Sequence, residues 1–112
     1  MTETANDLPI LDEVHLKRQT MDDPDLEVEI LSLFINEAER LLRQIEEAED
    51  VGKCIDRFHA MKGLARNIGA QKLALICGTL ENGDSEDIRE VRTAVENVIA
   101  YIRTAEGDVE PL

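Results

Sequence analysis

Apolar residues recur at spacings of three and four along most of the chain, and no stretch shows the period of two that marks a half-buried strand. Over residues 24–49, Leu31, Phe34, Ala38, Leu41 and Ile45 form one stripe, widened by Ile35 and Leu42, with charged residues opposite. Asp23 as N-cap, Pro24 at the first helical position and the acidic residues after it predict where this helix starts. Asp50-Val51-Gly52 breaks the pattern. Cys54, Phe58, Met61, Ala65 and Ile68 then repeat it, and Asn67 and Gly69 offer a left-handed stop. Leu73, Ile76, Cys77 and Leu80 predict a helix over 70–81 that ends at Asn82-Gly83. Ile88, Val91, Val95, Val98 and Ile102 predict a last one, capped by Asp84 or Ser85 and finished before Gly107. A shorter helix over 11–20 precedes all of these.

Short connections between long helices require antiparallel neighbours, so the predicted fold is all-α: an up-down-up-down four-helix bundle with a short N-terminal helix packed across one end. The polar residues 1–9 read as a flexible lead, 10–106 as the bundle and 107–112 as a loose tail. Four bundle helices in one chain predict a monomer, rather than a helical hairpin that completes its bundle by pairing with a second copy.

Composition narrows the picture. The 112 residues are 43% apolar but only 3% aromatic, enough for one core filled by Leu, Ile, Val and Ala. A net charge of -13 argues against a broad nucleic-acid footprint or attraction to an anionic membrane, which leaves proteins as the expected partners. No apolar run approaches the roughly 20 residues that span a bilayer. The opening Met1-Thr2-Glu3-Thr4 lacks the character of a secretion signal, so a cytoplasmic location is expected. Cys54 and Cys77 fall within apolar stripes and are read as buried thiols. No metal site is expected, since His15 and His59 have no ligand-like spacing to either cysteine or to each other.

His59 is the candidate for chemistry. At about 100 degrees per residue it lies roughly 140 degrees from the apolar stripe of its helix and faces solvent, with Lys62, Gly63 and Arg66 on its own face and Asp56 nearly one turn before it. Gly63 is informative because a glycine inside a helix costs about 1 kcal/mol relative to alanine, and nothing in the core pattern asks for it. It leaves room beside the imidazole for a bulky group or a partner surface. Residues 53–72 hold Lys53, Arg57, Lys62, Arg66 and Lys72 against Asp56 alone, a local +4 in an acidic chain, suited to an anion or an acidic partner. Arg40 and Arg43 extend this patch if their face adjoins His59. His15, with no comparable neighbours, reads as an ordinary helix histidine.

The string His59-Ala60-Met61-Lys62-Gly63-Leu64-Ala65-Arg66-Asn67-Ile68-Gly69-Ala70 resembles the signature of histidine phosphotransfer (HPt) domains of two-component phosphorelays, H-x-L-K-G-S-S/A-x-x-I/L-G-A. His59, Lys62, Gly63, Ala65, Ile68, Gly69 and Ala70 match, and Met61 replaces the common leucine. Pro24-Asp25-Leu26 and the stretch from Leu73 to Glu81 also fall where the family carries similar residues. Leu64 departs from the pattern, standing where a serine or another small residue is usual.

The resemblance implies that His59 accepts a phosphoryl group from an aspartyl-phosphate on one receiver domain and passes it to the aspartate of another. Lys62 would offset phosphoryl charge and Gly63 would give access, with Arg66, Arg57 and Leu64 as candidates for the receiver-docking face. It implies response regulator receivers and a hybrid sensor histidine kinase as partners, a phosphocarrier rather than an ATP-dependent enzyme, no cofactor of its own, and Mg²⁺ on the partner receiver. A free-standing signal-transduction shuttle is the expected role. The competing expectation is a bundle that docks and regulates a receiver or kinase without carrying phosphate.

Overall fold

The computed structural model describes residues 8–48, 50–84 and 87–106. Among them are five α-helices and no strand: α1 (Glu13–Gln19), α2 (Pro24–Glu47), α3 (Ile55–Ile68), α4 (Gln71–Glu81) and α5 (Arg89–Glu106), with one 3-10 turn, Val51–Cys54, between α2 and α3. Residues 1–7 of the expected lead (1–9), the expected loose tail over 107–112 and the candidate cap Ser85 lie outside the described residues.

Helix α2 starts as its sequence dictates. The Asp23 side chain accepts from the Asp25 and Leu26 N–H groups, with Pro24 at the first position, where a missing N–H costs nothing. Its stripe from Leu31 to Ile45 is buried together with Phe58, Met61, Ala65 and Ile68 of α3, Leu73, Ile76, Cys77 and Leu80 of α4, and Val91, Val95, Val98 and Ile102 of α5, in one apolar core. Helices α2, α3, α4 and α5 touch in a ring, each packed on the next and α5 closing against α2. Helices α3 and α4 run antiparallel, with His59 opposite Glu81 and Lys62 opposite Gly78. So do α2 and α5, where Arg92 bonds Glu46 while Ile99 shares a groove with Glu39.

Helix α3 stops at Gly69, whose φ of 87° lies in the left-handed region, and the N–H of Ala70 closes the turn on the Ala65 carbonyl at 2.8 Å. The same glycine receives α1. The Asp12 N–H donates to the Gly69 carbonyl at 2.8 Å, and a Cβ at Gly69 would stand 2.8 Å from the Asp12 carbonyl oxygen. Asp12 also caps α1 by accepting from the His15 N–H, and its other carboxylate oxygen accepts from Gln71 Nε2 at 2.9 Å. The short first helix is therefore stapled to the α3–α4 turn.

Three boundaries differ from the sequence reading. Helix α1 begins at Glu13 because Asp12 is spent as its cap. Helix α2 ends at Glu47, and the break after it is wound into the 3-10 turn, with the Asp50 side chain accepting from the Lys53 N–H. Asp84 does not cap α5: its N–H donates to the Thr79 carbonyl and finishes the end of α4, while the Asp87 carboxylate accepts from the Arg89 N–H and opens α5. Glu27 is buried on α2, unlike other acidic residues there, and its carboxylate meets the Lys17 ammonium at 2.6 Å, which makes the burial tolerable.

Candidate functional site

The stripe from Cys54 to Ile68 is wholly buried, and this turns the opposite face of α3 to solvent. His59 sits on that face with 70% of its side chain exposed, and Gly63, one turn on, is exposed with nothing within 4 Å of where a Cβ would be. The resting fold therefore sets aside open space beside the imidazole. Arg66 is exposed two turns along. Arg57 and Leu64 are half-buried on the other side of the helix, about 160 and 140 degrees from His59, and Leu64 packs against the core. The structure brings His59, Lys62 and Gly63 together and carries Arg57 and Leu64 away.

A residue that the sequence reading left out completes the cluster. Glu81, in the last turn of α4, places Oε1 2.6 Å from His59 Nδ1, while its Oε2 pairs with the Lys62 ammonium. Lys62 and Glu81 are 18% and 17% exposed, so this ion pair is largely shielded from water. The Lys62 stem lies over Gly78, where an added Cβ would be in ordinary contact with its Cδ at 3.8 Å. Lys62 thus bends from the exposed face toward α4, and its charge is already shared with a carboxylate. One signal for Glu81 was present in the sequence: His59 and Glu81 lie at nearly equal distances on either side of the Gly69-Ala70 hinge, which places them opposite each other in an antiparallel pair.

The electrostatics follow from these contacts. The Lys62 ammonium, and after it the His59 ring, hold the Glu81 carboxyl below the usual carboxylate range, so it is ionised near neutral pH. An ionised carboxylate can only accept, so the hydrogen in this short bond sits on Nδ1, and in the neutral ring the lone pair is then on Nε2. The arrangement offers solvent a nucleophilic nitrogen with a shielded cation one helical turn away. The buried thiols take no part. Burial first, and the Glu81 charge second, push Cys77 up to about 12, and burial likewise raises Cys54.

A groove of about 700 Å³ runs from Lys62 along the α3–α4 seam, past Arg66, Leu75, Thr79 and Asn82 to His15. His15 is a fastening at its far end: Nε2 stands 3.1 Å from the Asn67 carbonyl oxygen, to which it must donate. The second-helix arginines do not extend the basic patch. Arg40 pairs with Glu37 on its own helix at 2.8 Å, and Arg43 lines the groove between α2 and α5 beside Glu39 and Glu46. Among the described residues no helix is long and apolar enough to cross a membrane.

A family model described as Hpt domain matches residues 29–105, which spans the four long helices except the first five residues of α2 and the last residue of α5. Neither the curated proteins nor the solved structures contain a match to this chain.

Proposed function

The chain belongs to the Hpt domain family, and from that premise we propose that it relays a phosphoryl group between receiver-domain aspartates through His59 Nε2. The observation that carries this reading is the His59–Glu81 hydrogen bond, which commits Nδ1 and leaves Nε2 facing outward as the nucleophile. Transfer of this kind depends on positioning and charge stabilisation rather than on a dedicated base. His59 supplies a held imidazole, Lys62 a cation within one turn of the incoming group, and Gly63 the space through which a receiver brings its phosphoryl aspartate.

The partner completes the chemistry in this proposal: a receiver domain with its own Mg²⁺ and aspartate, phosphorylated in turn by a hybrid histidine kinase. Arg66 and the Leu75 side of the α3–α4 groove adjoin Lys62 and belong to the proposed docking face. Arg57 and Leu64 would contribute to it only at the rim, because α3 turns them away from His59. The protein acts as a cytoplasmic, monomeric phosphocarrier without ATP-dependent kinase activity.

The test is phosphoryl transfer from a labelled, phosphorylated receiver. The wild type takes the label, and His59→Gln does not. Receiver binding without any label on the wild type would instead select the docking-only role.

A further inference from the structure

We propose that the Asn82-Gly83 turn is a modification site, where spontaneous loss of ammonia converts Asn82 to aspartate and isoaspartate and sets a new negative charge in the groove beside Lys62 and Arg66. The modification stands on the geometry of the turn. Its effect on phosphoryl transfer rests on the function proposed above.

The chain holds asparagine at Asn6, Asn36, Asn67, Asn82 and Asn97, and Asn82 alone precedes a glycine. A glycine there has no Cβ to hinder attack by its own nitrogen on the asparagine side chain. The fold leaves that attack room. Asn82 and Gly83 are both exposed, and nothing lies within 4 Å of where a Cβ on Gly83 would be. Among the described residues no hydrogen bond holds the Asn82 carboxamide. Asn36, Asn67 and Asn97 lie inside α2, α3 and α5, where helical hydrogen bonds hold the next backbone N–H in place. The Gly83 N–H is tied to the Leu80 carbonyl at 3.2 Å, in the turn that ends α4. Asn82 stands there at φ -84° and ψ -3°. Closing a ring means turning ψ and giving up that bond, together with the one from the Asp84 N–H to the Thr79 carbonyl. Both belong to a helix end, which opens without the core.

In the first step the Gly83 nitrogen bonds to the Asn82 side-chain carbonyl carbon. The carbon–nitrogen bond of the carboxamide breaks, and its nitrogen departs as ammonia with the proton that Gly83 gives up. Water then opens the cyclic imide. Attack at the side-chain carbonyl gives aspartate, and attack at the main-chain carbonyl gives isoaspartate, whose backbone runs through the former side chain. Either product adds a carboxylate next to Glu81, in a groove whose lining charges are Lys62, Arg66 and Asp84. The new charge weakens the pull of that groove on an incoming anion, and transfer slows as the modified fraction grows.

The test begins with the wild type held in mildly alkaline buffer and mapped by peptide mass spectrometry, with isoaspartyl methyltransferase as the probe for isoaspartate. Asn82 is expected to convert about tenfold or more faster than Asn36, Asn67 or Asn97. Conversion no faster than at those positions overturns the proposal. Phosphoryl transfer from a labelled receiver is then compared in Asn82→Asp and Asn82→Ala, which both lack the amide and differ in the charge, after thermal melting has established that both fold. Asn82→Asp is expected to be slower than Asn82→Ala by about threefold at low ionic strength, with the gap closing as salt is added. Equal rates, or a gap indifferent to salt, overturn the effect on transfer. A wild type that takes no phosphate from any receiver overturns the function proposed above, while the peptide map still decides whether Asn82 is modified.

Discussion

The Glu81 carboxylate reaches His59 Nδ1 at 2.6 Å from 22 residues further along the chain, and it does so while paired with Lys62. Because those contacts, Lys62 first and His59 second, hold the folded Glu81 carboxyl below 4.5, its ionised form is favoured by folding. That stability is fully present above the unfolded value and is lost as pH falls through the lowered folded one. Glu81→Gln is therefore expected to be less stable than the wild type at neutral pH, with the gap closing below pH 4.5. Urea denaturation at neutral pH and again at about pH 3 checks this. A gap that persists at the lower pH would place its origin outside the carboxylate's charge.

Gly63 and its surroundings predict a separation of stability from function. A Cβ there meets nothing within 4 Å, so Gly63→Ala should gain about 0.5–1 kcal/mol from helix propensity. Under the proposed function the same methyl would intrude on the space through which a receiver brings its phosphoryl group, and Gly63→Leu would fill more of it. Transfer is expected to slow by about tenfold or more in Gly63→Leu while the bundle stays folded. Thermal melting and transfer kinetics on the two variants test the pair of effects, and wild-type rates in Gly63→Leu would remove the functional reason for this glycine.

Gly69 behaves in the opposite way. Its φ of 87° is unfavourable for any side chain, and an added Cβ would press on the Asp12 backbone where α1 docks. Gly69→Ala is expected to destabilise the fold by about 2 kcal/mol, from left-handed strain and displaced α1 contacts. Denaturant unfolding measures the loss. A variant as stable as the wild type would mean that α1 is free to shift at little cost.

Local signals account for what the sequence made legible. Spacings of three and four located every long helix, Asp23-Pro24 gave the start of α2, and Gly69 gave the end of α3, because each acts within a few residues of itself. Contacts between helices were not legible in the same way. Glu81 ended a helix on paper and became a site residue only once α4 was laid against α3, and Glu27 was buried only because Lys17 comes over it from α1. The turn between α1 and α2 places Met21 and Asp22 in the left-handed region, at φ 52° and 58°, without a glycine to announce it. His59, Lys62 and Gly63 could be grouped from the sequence because they lie about one turn apart on a single helix. Arg57 and Leu64 were joined to them by sequence proximity and by the family pattern, although the helical wheel already puts Leu64 about 140 degrees from His59, the separation that α3 shows.

The most direct test of the account is to locate the phosphate itself. After incubation with a phosphorylated receiver, digestion under alkaline conditions and peptide mapping should find one base-stable, acid-labile phosphate on the peptide that contains His59, joined through Nε2. Phosphate on another residue, on Nδ1 of His59, or on His59→Gln at the wild-type rate would contradict it.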